Sequence, residues 1–288
     1  MSKLEDRAGY VVFDCDSCCT TDDSLFLNHL RTEGISPAGT YITSMDLKGF
    51  SYDESGKKDL NAVEISYSVL GSCDLSSVKM SRSIFSGTKF VGNDMNRIGL
   101  RSSELSSVSI VDTKMRGVTA PVLTLRGSMG SGVDMRGGQL SHSIIRESRI
   151  SSTDMSWSIL RGALIRGNAF NDVDLSYSVL TNASIEQMRL QNVDLSMCRA
   201  QRSVWSTINR TRNNNIVCNS GDFRSAMFNK TMFRNADFSG SDFRDANFWN
   251  CAFINTDLTG ARFEGAQFFE TEIRSCTGFD ALDIRSMH

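Results

Sequence analysis

Long apolar runs, proline and net charge are all scarce in this chain, and each shortage removes a class of protein. Only 2 prolines accompany 22 glycines in 288 residues, which excludes a proline-rich linker protein. Formal charge is -2, from 31 basic and 33 acidic side chains, so no bulk preference for a polyelectrolyte follows. The amino terminus, MSKLEDRAGYVVFDCDS, has an apolar run of only Val11-Val12-Phe13, too short for a signal-peptide core, and nothing later approaches a membrane-spanning stretch. The eight cysteines, at 15, 18, 19, 73, 198, 218, 251 and 276, lack the dense spacing of a secreted disulfide scaffold. These features predict a reducing, cytoplasmic environment.

What the chain has instead is a period that belongs neither to a helix nor to an ordinary strand. Apolar residues fall every fifth position, where a helix shows 3.6 and a half-buried strand 2. Sorted by twenties, one column reads Leu75, Met95, Met115, Met135, Met155, Leu175, Leu195, and another Phe85, Leu105, Leu125, Ile145, Ile165, Ile185. Two residues before each centre the side chain is mostly small or β-branched, as at Ser143, Ser148, Thr153, Ser158 and Ala163. Four short sides per turn place each column on its own side of a square coil, with coils stacked at ~4.8 Å so that neighbours bury what one coil cannot. A second array, centred on Phe223, Phe228, Phe233, Phe238, Phe243, Phe248, Phe253, Leu258, Phe263, Phe268 and Ile273, stands out of register with the first by three residues. The stretch STINRTRNNNIV between them has the composition of an exposed loop. A weaker disturbance falls at Ala120-Pro121 and Gly130, where Leu123 and Met129 are expected to compensate for small core residues and proline to cost a backbone donor.

The run ADFSGSDFRDANFWNCAFINTDLTGARFEGAQFFE resembles the pentapeptide-repeat family. That resemblance implies an all-β fold, a right-handed quadrilateral β-helix, here with a small amino-terminal α/β cap. The organisation expected is a cap segment over 1–59, a first array over 60–205, an interrupting loop over 206–217, a second array over 218–278 and a cap or tail over 279–288. Within the first segment Tyr10 to Phe13 is expected as a strand and Thr21 to about Gly34 as a capped helix, while Phe279, Leu282 and Ile284 close the far end.

Candidate chemistry is sparse. YVVFDCDSCC is similar to the strand-DxD start of haloacid-dehalogenase-type phosphotransferases, with Asp14 as nucleophile and Asp16 as acid/base, but that fold needs a parallel α/β body and this chain is committed to its repeat. Cys15, Cys18, Cys19 and His29 match zinc spacing only in part, with 3 histidines in the whole chain and no second Cys pair to complete a site. No metal, cofactor or catalytic residue is therefore expected. Cys73, Cys198, Cys251 and Cys276 occupy the inward small position and are read as packing.

The aspartates before the centres, Asp74, Asp94, Asp134, Asp154, Asp174 and Asp194, with Lys114 interrupting, form a negative stripe. It resembles the acidic faces of DNA-mimicking pentapeptide proteins that occupy the DNA site of type II topoisomerases, the alternative function. Against mimicry, 60–200 carries 15 basic and 12 acidic residues, a net of +3, and the family uses this position structurally. Arg126, Arg146 and Arg166, twenty apart, form a basic column beside it. Solenoids present long faces without clefts, so the function expected is non-enzymatic binding of a macromolecular partner, a protein rather than a nucleic acid. The binding residues expected are Arg210, Arg212, Asn213 and Asn214 of the loop with Arg126, Arg146 and Arg166. Among relatives this resembles bacterial proteins, some of them delivered into host cells as effectors.

Overall fold

Each five-residue block makes one side of a coil, and its geometry follows from which positions face inward. The centre and the residue two before it point into the core, and the residues between and after point out. Every described residue two places after a centre, from Tyr67 to Ser275, has a positive φ. That left-handed residue turns the chain through the corner. Glycine, asparagine, aspartate and serine recur there because they tolerate this conformation best.

The computed structural model describes the backbone of 3–7, 10–14 and 41–43, and residues 64–67, 69–73, 75–206, 208 and 215–279. The chain divides into two units, Met1–Gln139 and Leu140–His288, each built on a parallel β-solenoid. In the amino-terminal unit Glu64–Ser66, Ile84–Ser86, Glu104–Ser106 and Thr124–Arg126 pair in parallel, each residue opposite the one twenty later. A second ladder joins Val69–Gly71, Lys89–Val91, Ser109–Val111 and Met129–Ser131. The other two sides are linked by single bridges, Asp94 to Lys114 to Asp134 and Lys79 to Gly99 to Thr119 to Gln139. Four sides per coil result, as the columns of the sequence require. Ahead of the coils, Lys3–Arg7 pairs antiparallel with Tyr10–Asp14, which lies parallel to Tyr41–Thr43. The expected strand at Tyr10 is thus present. The expected helix from Thr21, Asp16, the Cys15, Cys18, Cys19 and His29 group, Leu282 and Ile284 lie outside the described residues.

In the carboxy-terminal unit the first ladder runs Ile144–Arg146, Leu164–Arg166, Ser184–Glu186, Val204–Ser206, Met227–Asn229, Asn247–Trp249 and Gln267–Phe269. Its register steps by twenty up to Val204 and by 23 from Val204 to Met227, so one coil carries three extra residues. The second ladder shows where. Arg149–Asp154, Ala169–Asp174 and Arg189–Asp194 pair in order and end on Ile216–Val217, and a separate ladder of Met232–Arg234, Ala252–Ile254 and Glu272–Arg274 follows. Ser206, Ile216 and Val217 are paired strand residues, and Ile208 is buried, which confines the insertion to a narrower stretch than 206–217.

The two arrays fill their cores differently. Among 65–205 the centres are mainly Leu, Ile, Met and Phe. From Phe223 on, phenylalanines stack along the coil axis, with Phe223, Phe243 and Phe263 at 5.1 and 5.2 Å and Phe228, Phe248 and Phe268 at 4.9 and 4.7 Å. Across the core the same rings meet edge to face, as at Phe238–Phe243 and Phe243–Phe248. Both are favoured aromatic arrangements. Trp205 sits at the change of register, stacked on Phe228 at 6.1 Å, and its Nε1 donates to Ser203 Oγ at 2.7 Å.

Inward small residues also pair buried carbonyls of the neighbouring coil: Thr88 Oγ1 donates to Ile65 O, Asn93 Nδ2 to Leu70 O and Asn168 Nδ2 to Ile145 O. Near 120–130 the expected compensation is half right. Leu123, two before a centre, is buried at 4% exposure, whereas Met129, one before a centre, points outward at 54%. Pro121 costs no ladder bond. It stands one after a centre, where the amide is not part of the inter-coil ladder, and its carbonyl still accepts from Ser102 N at 3.0 Å. Val122 follows with φ 60, a β-branched residue in the left-handed region beside the small centre Ala120.

Two outcomes follow. Phe243→Ala removes a fully buried ring from the middle of its stack and should cost about 3–5 kcal/mol in denaturant unfolding; a loss under about 1 kcal/mol contradicts the stacked core. Val122→Asn relieves a corner strain of about 1–2 kcal/mol and should raise the melting temperature, whereas an unchanged or lower value shows that the corner is unstrained.

Candidate functional site

Arg146 and Arg166 stand directly opposite each other in parallel register on the first side of the carboxy-terminal unit, both exposed. Glu186 takes the same place one coil later, where Arg166 Nε lies 3.9 Å from its Oε2 and also donates to Gln187 Oε1 at 3.2 Å. The column is therefore two guanidiniums closed by a carboxylate. Ion pairs this exposed are worth about 0–1 kcal/mol, so the arrangement shapes a surface more than it holds the fold. Arg126 occupies the equivalent outward position in the amino-terminal unit. Arg210, Arg212, Asn213 and Asn214 lie outside the described residues.

The acidic stripe stacks as its spacing requires, and its carboxylates have a local task. Asp154, Asp174 and Asp194 are in register, and the Oδ1 of each accepts the backbone N–H two residues on, from Ser156 at 3.0 Å, Ser176 at 2.8 Å and Ser196 at 2.8 Å. Asp94, Asp237 and Asp257 make the same bond to Asn96, Ser239 and Thr259. On these sides the amide three after the centre bonds back to the centre's own carbonyl, as Ser178 N does to Leu175 O, and the aspartate satisfies the remaining amide that the coil ladder leaves over, which explains an acid or amide before a centre. Asp134 is further held by Arg116 at 2.6 Å and Arg136 at 2.7 Å. Asp74 lies outside the described residues.

On the next side Asp222 and Asp242 pair with Arg224 and Arg244 at 2.8 and 2.6 Å. Burial pushes Asp222 up, but hydrogen bonds from Arg224 and Gln201 and the Arg224 charge hold it below the ordinary 3.8. The Arg244 side chain does the same for Asp242, and hydrogen bonds from Thr259 and Thr277 for Asp257.

A groove of about 460 Å³ opens beside the insertion, lined by Asn215, Asn235, Asn255, Asp237, Asp257 and Thr277 among others. Its rim is an amide ladder. Asn255 Nδ2 donates to Asn235 Oδ1 at 2.8 Å, Asn215 Nδ2 to Asn192 Oδ1 at 3.1 Å and Asn192 Nδ2 to Asp172 Oδ1 at 2.8 Å. Such a lining offers hydrogen bonds and negative charge. Cys198 and Cys251 are pushed up by burial, to about 12 and about 11, and Cys218 is driven well above 9.0 by burial with Cys198 and Asp194 adding to it. Thiols so protonated are poor nucleophiles. Among the described residues no group of His, Cys, Asp and Glu is placed to hold a metal ion.

A model of the family described as pentapeptide repeats matches residues 218–245 and 236–274, in 8 copies. The chain carries a pentapeptide-repeat array. In both units the five-residue sides and their left-handed corners extend well before the matched array, back to Ile65. Solved structures similar to the chain include HetL, a pentapeptide repeat protein involved in heterocyst differentiation regulation from the cyanobacterium Nostoc sp. strain PCC 7120. It is 15% identical over 76% of this chain and 90% of that one, with TM-score 0.26. Another is full-length QnrB1, a plasmid-mediated fluoroquinolone resistance protein, 17% identical over 84% of this chain and 95% of that one, with TM-score 0.32. A tailspike protein of bacteriophage CBA120 is 11% identical over 92% of this chain and 60% of that one, with TM-score 0.41. No curated protein sequence matches.

One outward column has no counterpart among the residues that spacing singles out. Trp157, Tyr177 and Met197, two after successive centres of the pentapeptide-repeat coils, are exposed on one corner. Their signal was the same twenty-residue step, in a position normally reserved for polar turn residues.

The thiols give a direct check. At about pH 8 Cys198, Cys218 and Cys251 should resist iodoacetamide in the native protein and react once it is unfolded, and prompt native labelling contradicts their burial. For acid, a carboxylate whose folded pKa lies below its unfolded value near 3.8 stabilises the fold above that pH and loses the contribution as pH falls through the folded value. Asp242→Asn should therefore melt lower than wild type near neutrality, with the gap closing only as pH falls below 3.8.

Proposed function

We propose that this protein is a non-enzymatic β-solenoid that binds a macromolecular partner, a protein, through its rigid faces and the loop inserted at 209–214. The observation that carries the reading is the 23-residue coil. Ladder register resumes at once after it, Val204 opposite Met227 and Arg199 opposite Asp222, and Trp205 stacks on Phe228 across it. A segment that the core does not need persists for another reason, and loops set on rigid scaffolds are a usual place for recognition. Arg210, Arg212, Asn213 and Asn214 are assigned to that loop contact, and Arg126, Arg146 and Arg166 to the faces. Regular spacing of the outward side chains lets a partner be gripped with little loss of conformational entropy.

Deleting Arg212, Asn213 and Asn214 restores a twenty-residue coil, so circular dichroism and melting should be retained. Affinity capture from bacterial and host lysates should then lose a protein that wild type retains, as should Arg146→Glu/Arg166→Glu. Equal capture by the deletion variant removes the loop from the site, and a wild type that captures nothing ends the partner-binding reading.

A further inference from the structure

The Trp157, Tyr177 and Met197 corner costs stability and remains exposed. Their φ values of 61, 56 and 54 lie in the left-handed region, which a bulky side chain occupies only at a cost. The rings of Trp157 and Tyr177 stack at 4.3 Å with planes 1° apart, one contact set against two strained corners. Exposure is 62% for Trp157, 44% for Tyr177 and 49% for Met197. The column continues as Ser220, Gly240 and Gly260, which shows what the turn alone would choose. Folding does not account for the aromatic residues.

The flanks of the corner indicate what fits it. On one side Ile159 and Val179 lie opposite each other on the adjoining side of the coil, half-buried and outward, and widen the apolar strip, which ends at the exposed Arg199 opposite Val179. On the other flank run Asp154, Asp174 and Asp194. Asp174 and Asp194 cap their turns through Oδ1, and among the described residues neither forms an ion pair, which leaves the second carboxylate oxygen of each for a ligand. A phosphate backbone is repelled by this flank. A second copy is disfavoured by symmetry as well. A two-fold axis along the coil axis pairs Asp194 with Arg199 but sets Asp174 on the apolar Val179, and one across it sets carboxylate against carboxylate, so both dimers bury unpaired charge.

We propose that this corner docks a segment of a partner protein that offers apolar side chains to the Trp157, Tyr177 and Met197 strip and lysine or arginine to the Asp154, Asp174 and Asp194 column. The inference rests on the partner-binding reading above and names its surface and chemistry. Cations have two attractions there, the carboxylates and the aromatic faces, and these fall with added salt.

The test titrates the full chain with a fluorescein-labelled peptide of alternating lysine and phenylalanine, its glutamate–phenylalanine counterpart and a lysine–serine control. The lysine–phenylalanine peptide should bind best and weaken in high salt. Trp157→Asn/Tyr177→Asn should weaken it at least tenfold without lowering the melting temperature, because asparagine suits the corner. Asp174→Asn/Asp194→Asn keeps an acceptor for each turn while removing charge, and should weaken binding severalfold. Trp249→Asn, at another exposed stack, should leave it unchanged. No binding, equal binding of the glutamate peptide, unaltered binding by the Trp157/Tyr177 variant, or a Trp157-dependent dimer in sedimentation each overturns the proposal. If lysate capture falls with the loop deletion but not with Trp157→Asn/Tyr177→Asn, this inference fails while partner binding stands.

Discussion

A side of five residues cannot bury its own centre; it does so only when another coil lies against it in the same register. Inter-coil hydrogen bonding and core burial are therefore one constraint. Leu175 N donates to Asp194 O while the Leu175 side chain packs in the column of Leu195, and a slip of one residue would break both at once. A fully buried centre contributes about 1.5–3 kcal/mol, and a left-handed corner costs up to about 1–2 kcal/mol when its residue is bulky. Sides with a large centre and a small polar corner are comfortably stable. The side of Ala120 and Val122 has neither advantage.

Within that constraint the core admits two solutions. Aliphatic centres interlock without directional preference, whereas the phenylalanines after Phe223 combine parallel stacking along the axis with edge-to-face contact across it. Trp205 bridges the change on the coil that holds three extra residues, its ring meeting Phe223 and Phe228. The insertion is absorbed because register depends on the strands on either side of it and not on the length of chain between them.

Outward positions escape the constraint, and function has to be sought there. Some are nonetheless structural. The aspartates before the centres spend one oxygen on the amide that the ladder leaves over, so an acidic stripe is no evidence of a nucleic-acid surrogate. Others contribute little to the fold. The exposed Arg146 and Arg166, the amide-rimmed groove beside Asn215 and the Trp157–Tyr177 stack present fixed chemistry at fixed spacing, which is what the proposed recognition role requires.

The linear chain determined the parts of this protein that repeat: five residues per side, twenty per coil, the inward small position and the three-residue break before Cys218. Burial imposes those on composition at every step, so they can be read without coordinates. It did not determine the fate of single outward residues. Leu123 and Met129 are both plausible core fillers by composition, and only their places two and one before a centre separate them. The capping oxygens of Asp154, Asp174 and Asp194 and the ring stack of Trp157 on Tyr177 arise between residues brought together by corners and coils. Those contacts depend on direction as well as spacing, and direction exists only once the backbone has turned.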